Sequence, residues 1–208
     1  ITWSLANGLF PYYYEGLSTA AYIGMGIAGA IGLFLSIVFH EFSHSVVARQ
    51  SGIPMSGITL FIFGGVAEMD DEPRTPRSEF WMAIAGPAAS LIIGGVFYLF
   101  YWMGQNLAWG DPVQGVLVYL ALINVVLAGF NLIPAFPLDG GRILRSILWG
   151  MKNDILQATR ISSKIGSGFG IALMILGGIT FLMGNFIGGI WWVLIGMFVR
   201  NASRQSYN

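Results

Sequence analysis

The sequence contains no cysteine, which excludes disulfide bonds and thiolate metal ligands. Cysteine usage therefore does not indicate whether the protein works in an oxidising or a reducing compartment. Charged residues are scarce too, at 10% of 208 residues, whereas a soluble domain has about 25%. Hydrophobic residues make up 55%, and the mean hydropathy is +0.70. The formal net charge is zero, so the composition gives no reason to expect nucleic acid as a partner. The chain is too apolar for all its faces to contact water, and a lipid bilayer is the expected surrounding.

Long apolar runs alternate with polar or aromatic segments, which is typical of a polytopic membrane protein. We identify five runs, at about residues 20–48, 80–103, 113–133, 165–183 and 187–199. Residues 1–10 are apolar but too short to cross a bilayer, and we interpret them as the end of a truncated helix. The prediction is an all-α membrane protein of about six transmembrane helices, the first of them truncated.

The positive charges indicate an orientation in the membrane. All ten Lys and Arg residues fall on one side of the predicted spans, in two long loops and at the C-terminus. Residues 11–18 and 104–112, which connect spans on the other side, contain none. Lys and Arg are enriched in cytoplasmic loops. We therefore predict a multi-pass protein of the cell membrane, with the long loops on the cytoplasmic side.

The first apolar run contains the motif HEFSH, residues 40–44, which includes both histidines of the chain. Residues four apart share one face of a helix, so the imidazoles of His40 and His44 can reach one metal ion. Glu41 lies beside them as a candidate general base. A chance match on a surface helix is the alternative, but ionisable groups within an apolar span are usually functional. The motif predicts a metal site, and zinc suits this set of ligands.

A catalytic zinc site takes three protein ligands. With no third His and no Cys, the third ligand must be a carboxylate, and Asp139 remains after elimination. Glu79 and the other acids of polar loops are interpreted as solvated charges. Pro134 and Pro137 forbid regular helix before Asp139, so an irregular chain could carry it to the depth of the histidines. The alternative is that Asp139 caps the helix that follows.

Four stretches of the sequence form a more specific pattern than the metal motif alone: HEFSH followed by SVVARQSG, ITLFIFGGVAEM, AIAGPAAS, and NLIPAFPLDGGRILR. Together they resemble the site-2 protease family of intramembrane metalloproteases, also called family M50. The resemblance implies one zinc ion per chain, held by His40, His44 and Asp139, with Glu41 as general base. It also implies that Asn131 lies near the scissile carbonyl. The branch that this sequence resembles most is prokaryotic and often carries C-terminal CBS domains, and we expect none within these 208 residues.

The expected function is therefore intramembrane proteolysis, in which Glu41 assists the attack of water on a peptide bond of a transmembrane protein substrate. We predict a single membrane-embedded protease domain over residues 1–208. Its catalytic core is expected at about residues 20–148 and its accessory helices at about residues 165–200. Homo-oligomers are left open, and the sequence does not indicate the substrate, the cleavage position or the trigger.

Two residues outside the zinc set have alternative interpretations. Asn131 could donate a hydrogen bond to the oxyanion, or it could cap a helix end or bond to a neighbouring helix. Gly86, in AIAGPAAS, is interpreted as a helix-packing residue because small residues let helices approach closely.

Residues 57–69 alternate in character and are rich in Ile, Phe and Gly, which predicts a short β-hairpin or an edge strand. An unwound substrate could pair with such a strand by β-addition. Gly64 and Gly65 would then let the two backbones approach closely. A hairpin that only closes the cavity is the alternative.

Two other functions compete with proteolysis. A divalent-metal transporter or channel would use His40, Glu41, His44 and Asp139 as a transit site. Such a pathway should place ionisable groups through more of the membrane depth than this sequence does. A catalytically inactive scaffold is the second competitor, and the intact set of His40, Glu41, His44 and Asp139 disfavours it.

Overall fold

The computed structural model describes residues 1–53, 55–61, 64–69 and 73–205, without the side chains of the two strand segments at 55–61 and 64–69. A π-helical stretch joins the first two short helices. The helices are α1 (Thr2–Ser4), α2 (Phe10–Tyr13), α3 (Thr19–Gln50), α4 (Pro76–Asn106), α5 (Asp111–Asn131), α6 (Asp139–Lys152), α7 (Ile155–Leu182) and α8 (Phe186–Gln205).

Among the described residues, five helices are long and apolar enough to cross a membrane, namely α3, α4, α5, α7 and α8. They match the five apolar runs to within two residues at the C-terminal ends of α5 and α7, which confirms the prediction of a polytopic helical membrane protein. Large apolar side chains on these helices are exposed, as at Ile92 and Leu122, and such a surface suits lipid rather than water. The expected sixth helix is not among the five, because the helical residues 2–13 are too few to span a bilayer.

A two-stranded antiparallel sheet follows α3. Strand β1 (Met55–Phe61) pairs with strand β2 (Gly64–Met69), and the pairing ends with Phe61 opposite Gly64. The register is irregular between Met55 and Gly57. The sheet lies in the segment whose alternating pattern predicts strands.

The chain forms two compact units. The first contains Ile1–Val46, Met55–Asp70 and Ala85–Gly129, and the second contains Val47–Pro54, Asp71–Ile84 and Phe130–Asn208.

In the first unit, small residues let the helices approach closely. A Cβ added at Gly32 of α3 would overlap the Leu120 side chain of α5, and one at Gly94 of α4 would lie 3.1 Å from the carbonyl oxygen of Ala121. A buried polar link joins the same helices, because Asn124 Nδ2 donates to Ser36 Oγ over 2.9 Å. Such links hold membrane helices in register, since an unbonded polar group is costly in lipid.

In the second unit, α7 and α8 pack backbone against backbone. A Cβ at Gly170 would lie 2.7 Å from the carbonyl oxygen of Gly196, and a Cβ at Gly177 would lie equally close to that of Gly189. The turn between the helices contains Gly184 at φ +92°, a conformation that glycine adopts without strain. Glycine at these positions makes α7 and α8 a tight antiparallel pair.

Candidate metal centre

The two histidines of the HEFSH motif lie in the helical interior of α3. The side chains of His40 and His44 are 2% and 9% exposed, and their ring centroids lie 4.9 Å apart. The four-residue spacing produces this proximity, because one helix turn separates the two Cα atoms on a common face. The structure therefore brings together two imidazoles that are shielded from solvent.

Gly86 of α4 faces the Nε2 atoms of both histidines. A Cβ at this position would overlap Nε2 of His44 and would lie 2.5 Å from Nε2 of His40. The missing side chain thus lets α4 lie close against the two nitrogen atoms that can bind a metal. The sequence pattern favours a helix-packing role for Gly86 over a role in the site. A glycine inside a helix lowers the stability of the helix by about 1 kcal/mol relative to alanine. A glycine at such a position therefore indicates a role other than helix formation.

Ser90 fixes the orientation of one imidazole. Its Oγ lies 2.9 Å from Nδ1 of His40, and its side chain is fully buried. When Nδ1 donates its proton to this hydroxyl, the lone pair of the neutral ring is left on Nε2. Ser90 lies one turn after Gly86, so both residues present the same face of α4. Sequence reasoning missed Ser90, and the four-residue spacing from Gly86 in AIAGPAAS could have indicated it.

Glu41 and Asp139 are both half-buried. Glu41 follows His40 directly in α3, and Asp139 is the first residue of α6. The N-cap position of α6 is occupied by Leu138, whose backbone is extended, so Asp139 is not the N-cap residue of this helix.

Residues 132–138, which lead into Asp139, are not helical, as the two prolines predict. Gly140 and Gly141 lie so close to this segment that a Cβ at either would overlap its backbone. The peptide bond from Phe136 to Pro137 is cis. The segment therefore folds back tightly onto the first turn of α6.

The other predicted site residues lie at the ends of elements. Asn131 is the last residue of α5 and is half-buried. Gly64 and Gly65 are the first two residues of β2, where Gly65 pairs with Leu60. The structure does not describe the side-chain surroundings of this strand.

One interpretation of the sequence is wrong. Glu79 was expected to be a solvated charge at a polar loop, but its side chain is 0% exposed. It forms an ion pair with Arg145, whose Nε donates to Glu79 Oε1 over 2.6 Å. Glu79 lies in the first turn of α4, and burial without a partner would carry a large desolvation cost.

The residues present fit a zinc ion. His40 and His44 are two imidazole donors that lie together on one face of α3. Two imidazole nitrogens and one carboxylate oxygen are a donor set that catalytic zinc sites use. Both Nε2 atoms lie against Gly86, and a hydrogen bond donated by His40 Nδ1 to Ser90 Oγ would leave the lone pair of that ring on Nε2.

A model of peptidase family M50 matches residues 28–111 and 101–177. The chain therefore belongs to peptidase family M50.

Two curated relatives and one solved structure illustrate the similarity. A putative zinc metalloprotease of Mycobacterium tuberculosis, Rip3, is 36% identical over 204 residues, which are 98% of this chain and 52% of the relative. A putative zinc metalloprotease of Synechocystis is 40% identical over 185 residues, 88% of this chain and 48% of the relative. The chain thus spans about half the length of these relatives. The structure of a site-2 protease from Methanocaldococcus jannaschii matches with 34% identity and a TM-score of 0.65, covering 100% of this chain and 86% of that one.

We expect Gly86→Ala to weaken zinc binding by about tenfold or more, because the added methyl group would overlap both imidazoles and displace them. Competition with a chelator on the purified protein measures this affinity. Gly95→Ala is the matched control, since it adds the same atom to α4 with no heavy atom within 4 Å. Equal zinc affinities of the two variants would contradict the role of Gly86.

Proposed function

We propose that the chain is an intramembrane zinc metalloprotease that hydrolyses peptide bonds of transmembrane protein substrates, with residues 1–208 as a single membrane-embedded domain. The observation that carries this proposal is the buried imidazole pair of α3, whose Nε2 atoms both lie close against Gly86 of α4. Glu41 follows the first imidazole directly in the sequence. Membership of family M50 and the likeness to a site-2 protease support peptide hydrolysis as the reaction.

Asp139 is proposed as the third zinc ligand, beside His40 and His44. Two imidazoles and one carboxylate are a donor set that catalytic zinc sites use, which supports the assignment. The half-buried carboxylate also balances part of the positive charge that a divalent ion would bring into a low-dielectric region. One zinc ion per chain follows from this single set.

The proposed mechanism divides the work among a zinc ion and three side chains. A zinc ion held by His40, His44 and Asp139 would supply Lewis acidity at the substrate carbonyl. Glu41 takes a proton from the attacking water molecule and later returns it to the leaving amine. Ser90 holds the His40 ring so that its Nε2 stays available. Asn131 donates a hydrogen bond to the oxygen atom that gains charge during attack.

Glu41→Gln should lower kcat for cleavage of a model transmembrane substrate by about 10²- to 10⁴-fold, because an amide does not accept the proton. Zinc content should stay at the wild-type level, since both imidazoles remain. Metal analysis and cleavage by the purified protein in detergent measure the two quantities. Loss of zinc together with activity would show that Glu41 is a ligand rather than a base, and unchanged cleavage would refute the mechanism.

The same assay distinguishes the competing transporter. A divalent-metal transporter predicts zinc uptake into proteoliposomes without any cleavage, and Glu41→Gln need not stop that uptake. Asn131→Ala supplies a second arm of the assay. Its proposed role predicts a lower kcat with an unchanged KM, because the hydrogen bond forms only as charge develops.

We propose further that the hairpin of β1 and β2 binds the unwound substrate by strand addition at Gly64 and Gly65. The motivation is that a helical peptide bond is shielded and must be extended before it is cut, and an antiparallel sheet offers the matching geometry. Moving a single proline through the substrate should lower kcat/KM at every second position, because alternate N–H groups pair with a strand. A loss without alternation would favour a hairpin that only packs.

The site is proposed to open toward the cytoplasm, with all ten Lys and Arg residues on that side. Because the chain has no cysteine, single cysteines can report the orientation. Both Asn106 and Ser51 are exposed positions. A membrane-impermeant maleimide should label Asn106→Cys in intact cells and Ser51→Cys only after permeabilisation. The reverse pattern would contradict this orientation.

A further inference from the structure

Ser203, in the last turns of α8, forms a hydrogen bond with the segment that leads into Asp139. Its Oγ donates to the backbone carbonyl oxygen of Phe136 over 2.6 Å. The Ser203 side chain is 0% exposed, and that of Phe136 is also buried. The bond joins two residues that are 67 positions apart in the sequence. The buried hydroxyl of Ser203 thus binds a carbonyl of the non-helical segment, three residues before the proposed zinc ligand Asp139.

The residue of α7 next to this hydrogen bond is a glycine. Gly166 of α7 lies at the same point, and a Cβ there would overlap Ser203 Oγ and lie 2.8 Å from the backbone nitrogen of Phe136. Any side chain at residue 166 would therefore separate Ser203 from Phe136. Helix α7, helix α8 and the 132–138 segment meet at this junction through one hydroxyl group and one glycine.

A second contact reaches the same residue through its ring. The guanidinium carbon of Arg145, in α6, lies 5.4 Å from the centroid of the Phe136 ring, within the range of a cation–π interaction. Arg145 is in turn paired with the buried carboxylate of Glu79 in α4. A buried ion pair contributes little net stability, because desolvation offsets the attraction. Its better-attested role is to specify one arrangement of its surroundings.

We propose that Ser203 and the Arg145–Glu79 pair are positioning residues. They hold the Phe136 peptide, and with it the segment up to Asp139, in the conformation that presents the carboxylate to the metal. This inference rests on the proposed function, in which Asp139 is a zinc ligand. Because Gly140 and Gly141 pack tightly against the segment, a displacement of Phe136 would also displace Asp139. Helix α8 therefore takes part in metal binding although it supplies no ligand.

A purely structural role of Ser203 makes a different prediction. It would lower the stability of the protein with and without zinc by the same amount, and the zinc affinity would not change. A positioning role lowers the affinity itself, because the variant must order the segment when the metal binds. Zinc affinity is therefore the decisive measurement, and it does not depend on catalytic activity.

The experiment compares the zinc affinities of the wild type, Ser203→Ala and Ser146→Ala by chelator competition on the full chain in detergent. Ser146 is the matched control, because it is equally buried but donates to the Ile143 carbonyl oxygen within its own helix. We expect about a fivefold weaker affinity for Ser203→Ala, which corresponds to one ordinary hydrogen bond. Ser146→Ala should change the affinity by less than about twofold, since its lost hydrogen bond lies within one helix turn.

Two further variants secure the interpretation. Ser203→Cys keeps a weak donor of similar size and should fall between the wild type and Ser203→Ala. Arg145→Lys keeps the charge but loses the Nε–H donor, and it should also weaken zinc binding. If neither Ser203 variant yields folded protein, the hydroxyl is a structural requirement and the positioning role is refuted.

Asp139→Asn separates this inference from the proposed function. Wild-type zinc affinity in Asp139→Asn would overturn the ligand assignment, whatever Ser203→Ala shows. Loss of zinc in Asp139→Asn, together with equal affinities of Ser203→Ala and Ser146→Ala, would overturn the positioning role alone. Loss of zinc in Asp139→Asn with a selective loss in Ser203→Ala is the result that supports both.

Discussion

The imidazoles of His40 and His44 can both place Nε2 against α4 because residue 86 has no side chain. The proposed metal site needs nitrogen lone pairs that meet at one point and are shielded from bulk water. Helix α3 supplies the nitrogen atoms through the spacing of its histidines, and α4 covers them closely through Gly86. A cost of about 1 kcal/mol for glycine in a helix is small beside the affinity expected of such a site.

Polar side chains within the apolar helices act on the geometry of this site. Ser90 holds the ring of His40, and Asn124 binds Ser36, which lies one turn before His40 on α3. An unbonded polar group costs several kcal/mol in lipid, so these helices are constrained to the arrangement in which such groups meet. The same constraint explains why so few polar residues suffice to orient a long apolar helix.

Local patterns in the sequence predict part of this architecture. The five apolar runs predict the spanning helices, HEFSH predicts the imidazole pair, and two prolines predict the irregular chain before Asp139. The roles of Gly86 and Ser90 escape such reasoning, because small residues pack against any helix and AIAGPAAS does not show which helix it faces. Glu79 was misjudged for a related reason: its partner Arg145 is 66 residues away, and polar neighbours in the sequence suggested solvent instead.

The bond from Ser203 to Phe136 also has a consequence for the order in which the protein matures. The histidine pair is formed by one helix and depends on local contacts, which form early. The segment before Asp139 gains its last restraint only after α7 and α8 have been synthesised and inserted. A nascent chain that ends before α8 would thus hold its imidazoles without the fully ordered carboxylate segment. In the proposed protease, the metal site would then be completed only once α8 is in place, and cleavage would be delayed until that point.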